Sequence, residues 1–190
     1  MNPADLVIDT VKSRPWSGIV WHHSATKDGI TNDWEAIRKY HTSYRVDHVA
    51  VTAEEYFKRK EACDWRKFEL PWAAIAYHGG VERINGTLTY LPGRPLSIPG
   101  AHAGVSGNPN TYNAHYLGLC AVGNFDKTAP DADLWTFCLG VTKAFQRAYI
   151  NILTPDVIGH REVFDRFGIP RQKTCPGTAW DIDKFRSDLG

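Results

Sequence analysis

GIVWHHSAT, residues 18–26, is an apolar run of β-forming residues that turns polar at its end, and it reads as a central strand with two adjacent histidines at its C-terminal end. Outward from it, Thr31 or Asn32 is expected to cap a helix that runs to about Tyr44, with Trp34, Ile37 and His41 on one face at steps of three and four. A second helix is expected over about 53–62. WAAIAYHGGVERI and TLTYLP then flank Asn85-Gly86, and an Asn-Gly pair between β-type runs marks a hairpin of two antiparallel strands. GLCAVGNF (118–125) reads as a buried strand, residues 131–150 as a long amphipathic helix, and DVIGH (156–160) as a short last strand closed by His160. Crossover units mixed with a hairpin predict an α/β fold: a single domain with a central mixed β-sheet flanked by helices.

With 190 residues and 43% hydrophobic content, the chain can build one substantial core. Its 22 basic and 21 acidic residues leave a net charge of +1, which gives no bulk electrostatic reason to expect a nucleic-acid partner. No apolar stretch approaches the roughly 20 residues of a membrane helix, so no stable membrane association is expected. The opening MNPADLVIDTVKSRPW carries Asp5 and Asp9 and lacks a basic start followed by an apolar run, which predicts synthesis in the cytoplasm without a signal peptide. Cys63, Cys120, Cys138 and Cys175 form no CxxC pair and fit a reducing compartment better than a disulfide framework. The segment over about 92–116 is rich in Gly, Pro and Asn and reads as a long loop, the kind that often carries function.

A catalytic zinc site needs three protein ligands and a fourth position open to water. The candidates are His22 or His23, His160, and Cys175 directly before Pro176-Gly177. Successive strand residues face opposite sides, so one of His22 and His23 can reach a given metal. The spacing matches no closed four-ligand pattern, and it is equally compatible with two strand-end histidines and a small buried cysteine.

The stretches VWHHSAT, IRKYH, AIAYHGGVERINGTLTYLPGRP, GAHA, YNAHYLGLCAVGNF, VIGHREV and KTCPG, in this order over about 18–177, resemble the type 2 N-acetylmuramoyl-L-alanine amidases, a family that includes short phage endolysins and the peptidoglycan-recognition proteins of animals. The resemblance implies that fold, and one zinc ion per chain held by His22, His160 and Cys175, with His23 pointing away. It implies catalytic roles for Tyr77 and Lys173, which would stabilise a tetrahedral oxyanion, and substrate-binding roles for His102 and Asn113. The implied activity is hydrolysis of the amide between N-acetylmuramic acid and the L-alanine of the stem peptide in peptidoglycan, by a monomeric phage or prophage endolysin that reaches the wall after its release from the cytoplasm. Arg94 and Arg161 could meet stem-peptide carboxylates or form structural pairs. His48, His78, His115, Cys63, Cys120 and Cys138 match no ligand position.

Short phage members pass almost directly from the IRKYH helix to the strand after Tyr77, so residues from about 42 to 71 are expected to be an insertion. Three rival readings remain. Cys175 could be a nucleophile with His160 as its base. A cytosolic enzyme recycling wall fragments would share fold and reaction, although that branch carries aspartate at the third ligand position and glutamate in place of the tyrosine. A non-catalytic peptidoglycan-binding module would have lost the cysteine, which is present here.

Overall fold

The computed structural model describes residues 3–26, 33–62, 65–105 and 111–190. In chain order the elements are β1 (Gly18–His23), α1 (Trp34–His41), β2 (Tyr44–Val46), β3 (Val49–Val51), α2 (Ala53–Glu61), β4 (Phe68–Glu69), β5 (Gly79–Ile84), β6 (Thr87–Pro92), α3 (Thr111–His115), β7 (Tyr116–Ala121), α4 (Ala132–Ala148), β8 (Val157–Gly159), α5 (His160–Arg166) and α6 (Ile182–Leu189). Five strands form one sheet in the order β6-β5-β7-β1-β8. The β5–β6 pair is antiparallel and the other pairs are parallel, so the sheet is mixed and the chain is α/β, as its alternating pattern predicts. β7 takes the centre and β1 lies beside it.

Alternation along β1 decides which histidine faces which layer. Ile19 and Trp21 point to the side where α4 and α6 pack, among Phe137, Val141, Phe145, Trp180 and Phe185. Val20 points to the other side, with Ile158, Val163, Phe164 and Tyr112. The Trp21 indole donates to the Thr142 hydroxyl at 3.1 Å, so its one polar atom is satisfied inside the core. α4 starts where Asp131 accepts from the Leu134 amide at 2.8 Å.

The hairpin falls where the Asn-Gly pair puts it. Asn85 and Gly86 have φ of 49° and 80°, the left-handed pair that a two-residue turn matched to strand twist requires.

The structure differs from the sequence reading at three boundaries. Asp33 caps α1, accepting from the Ala36 amide at 2.8 Å, whereas the expected caps Thr31 and Asn32 lie outside the described residues. The helix ends at His41 rather than near Tyr44. The cause is Arg45, fully enclosed, whose Nη1 donates to the carbonyls of Tyr40, His41 and Ser43 and so satisfies the helix end. His160 opens α5 instead of closing β8. There Glu162 accepts from the Gly159 amide at 2.8 Å, and Arg186 holds both Glu162 oxygens at 2.8 Å.

β2, β3 and β4 form a separate three-stranded antiparallel sheet in the order β3-β2-β4, with Tyr56 of α2 packed on Tyr44 and Phe68. No helix among the described residues is long and apolar enough to cross a membrane.

Candidate metal centre and active site

At the C-terminal end of the parallel strands, where open α/β sheets place their ligands, His22, His160 and Cys175 converge. Their donor atoms all lie within 4.8 Å of one another, and no other set of three His, Cys, Asp or Glu residues does so among the described residues. His22 Nδ1 is 3.5 Å from Cys175 Sγ, and His22 Nε2 is 2.9 Å from His102 Nδ1. His160 Nε2 is buried with no hydrogen-bond partner. Two imidazoles and one thiol in this arrangement fit a zinc ion with a position left over.

Burial sets the protonation of the donors. It holds His22 well below the usual histidine range, reinforced by the neighbouring His160 and His102. It lowers His160 to about 4, with the Lys173 charge adding to the effect. It pushes the Cys175 thiol up to about 12, which Asp126 reinforces and the His23 amide, Lys173 and Arg161 oppose. Both imidazoles are therefore neutral, the form that ligates, and a cation is what would favour the thiolate.

His23 points the other way. Its Nδ1 accepts from the Phe125 amide at 3.1 Å and its Nε2 lies 3.9 Å from Asp126. Its own amide donates to Cys175 Sγ at 3.3 Å, so this residue serves the site through its backbone.

The loop bearing Cys175 is held at several points. The Arg161 amide donates to the Cys175 carbonyl at 2.7 Å, and its guanidinium donates to the carbonyls of Thr174, Gly177 and Trp180. Asp126 accepts from the Thr174 hydroxyl and the Thr178 amide, both at 2.9 Å. Gly177 has φ of 121°, and a Cβ there would come within 2.3 Å of the Phe125 backbone, so only glycine lets the loop pass.

Tyr77 and Lys173 line the same pocket as the three donors, together with His23, Ala25, His102, Asp126 and Thr174. The Tyr77 ring lies 5.0 Å from His22 and 5.7 Å from His41. Burial raises its hydroxyl well above the ordinary tyrosine value, with Cys120 and Cys175 adding to this, so it is a proton-bearing donor. Lys173 is exposed at the pocket wall.

His102 lines the pocket as a largely buried neighbour of His22. Asn113 is not at the pocket. It is buried behind His102, its side-chain oxygen accepting from the His102 and Ala103 amides at 2.8 and 2.9 Å. Neither Arg94 nor Arg161 is poised for a ligand carboxylate. Arg94 donates to the carbonyls of Ile75, Ala74 and Pro99, and Arg161 grips the cysteine loop. His78 bridges Gly118 and Ile98, His48 pairs with Glu69 at 3.0 Å, and His115 is exposed. Cys120 and Cys138 are buried free thiols outside the donor set, and Cys63 lies outside the described residues. Sequence reasoning left Asp126 and the carbonyl-clamping role of Arg161 unassigned. Arg161 directly follows His160, but nothing local to it reports the carbonyls it will meet.

The fold is shared with solved structures of low identity. The endolysin N-acetylmuramoyl-L-alanine amidase LysCS from Clostridium intestinale URNW is 21% identical, with 94% of this chain and 86% of that one covered at a TM-score of 0.58. An AmpD derivative is 19% identical, covering 97% and 89% at 0.59. The Drosophila peptidoglycan recognition protein SD is 20% identical, covering 87% and 77% at 0.51. None of the curated proteins matches the sequence. The family model described as N-acetylmuramoyl-L-alanine amidase matches residues 12–178, a span that takes in β1 with His22, the hairpin and the Cys175 loop, and the chain therefore belongs to that amidase family.

Proposed function

We propose that this chain is a zinc-dependent N-acetylmuramoyl-L-alanine amidase that hydrolyses the bond between N-acetylmuramic acid and L-alanine in peptidoglycan. The observation that carries the reading is the convergence of His22, His160 and Cys175 within 4.8 Å in a pocket that Tyr77 and Lys173 also line. When bound, zinc supplies a Lewis acid that polarises a carbonyl and lowers the pKa of water to about 7. His22 and His160 offer neutral nitrogens, and Cys175 brings the one negative charge. Lys173 and the Tyr77 hydroxyl donate to the oxygen that turns negative as the scissile carbonyl becomes tetrahedral. The pocket opens to solvent beside Lys173, which leaves room for a polymeric substrate to approach.

The cysteine-nucleophile alternative fits poorly, because burial pushes the thiol up to about 12 and keeps its imidazole neighbours from the cationic form that would stabilise a thiolate. Cys175 and Tyr77 support the lytic branch over the recycling one, in which aspartate and glutamate stand at these positions. In this reading the enzyme is a phage or prophage endolysin, made in the cytoplasm and acting on the wall as a monomer. Residues 42–71 are an insertion in its single catalytic domain, supported by the separate sheet that β2, β3 and β4 build there.

The test is peptide release from purified sacculi and from soluble anhydro-muropeptides, before and after chelation. Activity on sacculi that disappears with chelation and returns with zinc is expected. Activity that survives chelation refutes the metal reading, and action confined to the soluble fragments refutes the endolysin reading.

A further inference from the structure

A neutral imidazole carries one proton on either of two nitrogens, and a ligating histidine must keep it on the nitrogen away from the ion. His22 is 1% exposed and has no carboxylate or carbonyl on its outer nitrogen. It has another imidazole. Resting on the zinc reading above, we propose that His102 and the Tyr116 carbonyl together fix the ring tautomer of His22, so that its Nδ1 lone pair faces Cys175 before any ion arrives.

The tautomer can be read outward from the one atom whose role is unambiguous. The Tyr116 carbonyl oxygen can only accept, and it lies 3.2 Å from His102 Nε2, so that nitrogen carries the proton and donates. The His102 ring is enclosed and neither of its nitrogens meets a carboxylate, so it is neutral and its Nδ1 is a lone pair. His22 Nε2 stands 2.9 Å from that lone pair and must supply the proton between them. His22 Nδ1 is then unprotonated, 3.5 Å from Cys175 Sγ. The reverse assignment would set a His102 lone pair against the Tyr116 carbonyl and aim an N–H of His22 into the donor set.

The surroundings hold the relay in place. Asn113 takes both the His102 and Ala103 amides on one oxygen, which fixes the backbone from which the ring hangs. Gly100 and Gly118 form the walls of the ring's seat: a Cβ on either would fall 2.3 or 2.4 Å from His102 Cδ2. His102 and Asn113 thus become positioning residues: His102 meets the pocket as the buried partner of His22, and Asn113 lies behind it.

The experiment is long-range proton–nitrogen NMR of histidine-labelled full-length protein, zinc-free and zinc-loaded, together with zinc competition against a chelator for wild type, His102→Leu and His102→Asn. The wild type should show the Nε2–H tautomer for His22 in both states. His102→Leu should bind zinc ~10–100-fold more weakly, and His102→Asn, which keeps an acceptor near the position of Nδ1, should recover part of the loss. A zinc-free wild type with His22 protonated at Nδ1, or a His102→Leu protein of wild-type zinc affinity, overturns the proposal. If His102→Leu does not fold, the wild-type spectrum decides. A wild type that takes up no zinc contradicts the metal reading, while its His22 tautomer still decides the relay.

Discussion

His22 Nδ1 and Cys175 Sγ lie 3.5 Å apart across 153 residues of chain. The sheet delivers one and a loop gripped by Arg161 and Asp126 delivers the other, so each can be altered without unmaking the core that places its partner. Cys175→Ser should keep the fold, by circular dichroism and thermal unfolding. Zinc affinity should fall by more than the ~10–100-fold expected for an outer-shell partner, because a ligand itself is lost. Full zinc occupancy and hydrolysis in the variant would mean that the site is misassigned.

Tyr77 and Lys173 face the pocket without belonging to the donor set. Tyr77→Phe and Lys173→Ala should each lower kcat by about 10²–10³ while zinc content stays at wild-type level. A variant with unchanged kcat removes that residue from the account, and one that loses zinc shows that its role is structural.

The guanidinium of Arg161 meets three backbone carbonyls, a pattern that lysine's single ammonium cannot reproduce. Arg161→Lys should cost about 1–3 kcal/mol of stability. Zinc affinity should weaken as well, since the Cys175 loop loses its clamp. Denaturant titration and chelator competition measure the two effects, and a variant with neither would show that the loop is positioned without the guanidinium, by Asp126 and the backbone bond to Cys175.

His78 is 2% exposed, its Nδ1 accepting from the Gly118 amide and its Nε2 donating to the Ile98 carbonyl, and burial lowers it to about 4. Above pH about 6.5 it is neutral whether the chain is folded or unfolded, so its contribution is at its full value. Between about 6.5 and 4 the unfolded chain binds a proton that the folded one excludes, and stability falls by about 3 kcal/mol from this group. Comparing unfolding free energies at pH 7 and 4.5 for wild type and His78→Gln checks this. The variant should lose less on acidification, and an equal loss would contradict it.

Local signals carried much of the architecture. The alternation of Ile19, Val20, Trp21 and His22, the Asn85-Gly86 turn and the Asp131 cap each act within a few residues, and each is visible in the sequence. The end of α1 was not legible, because Arg45 comes after the helix and becomes its cap only when its guanidinium is enclosed. His160 looked like a strand end for a related reason: the Glu162–Arg186 pair that starts its helix joins residues 24 positions apart. The convergence of His22, His160 and Cys175 as a candidate ligand set was legible only through ordered motifs, since spacing left His22, His23, His160 and Cys175 with an equally good structural reading. Asn113 illustrates the remaining gap. The family resemblance implies a substrate-binding role for it, and only the fold reveals the two amides from which its side-chain oxygen accepts.

The central claim is that one ion held by His22, His160 and Cys175 cuts one bond of the wall polymer. Zinc analysis of the full-length protein, paired with mass spectrometry of its products from purified sacculi, tests it most directly. The account predicts one zinc per chain and released stem peptides that begin with a free L-alanine amine, from glycan strands left intact. Products cut within the glycan or within the peptide, or the expected products from a protein that carries no zinc, would contradict it.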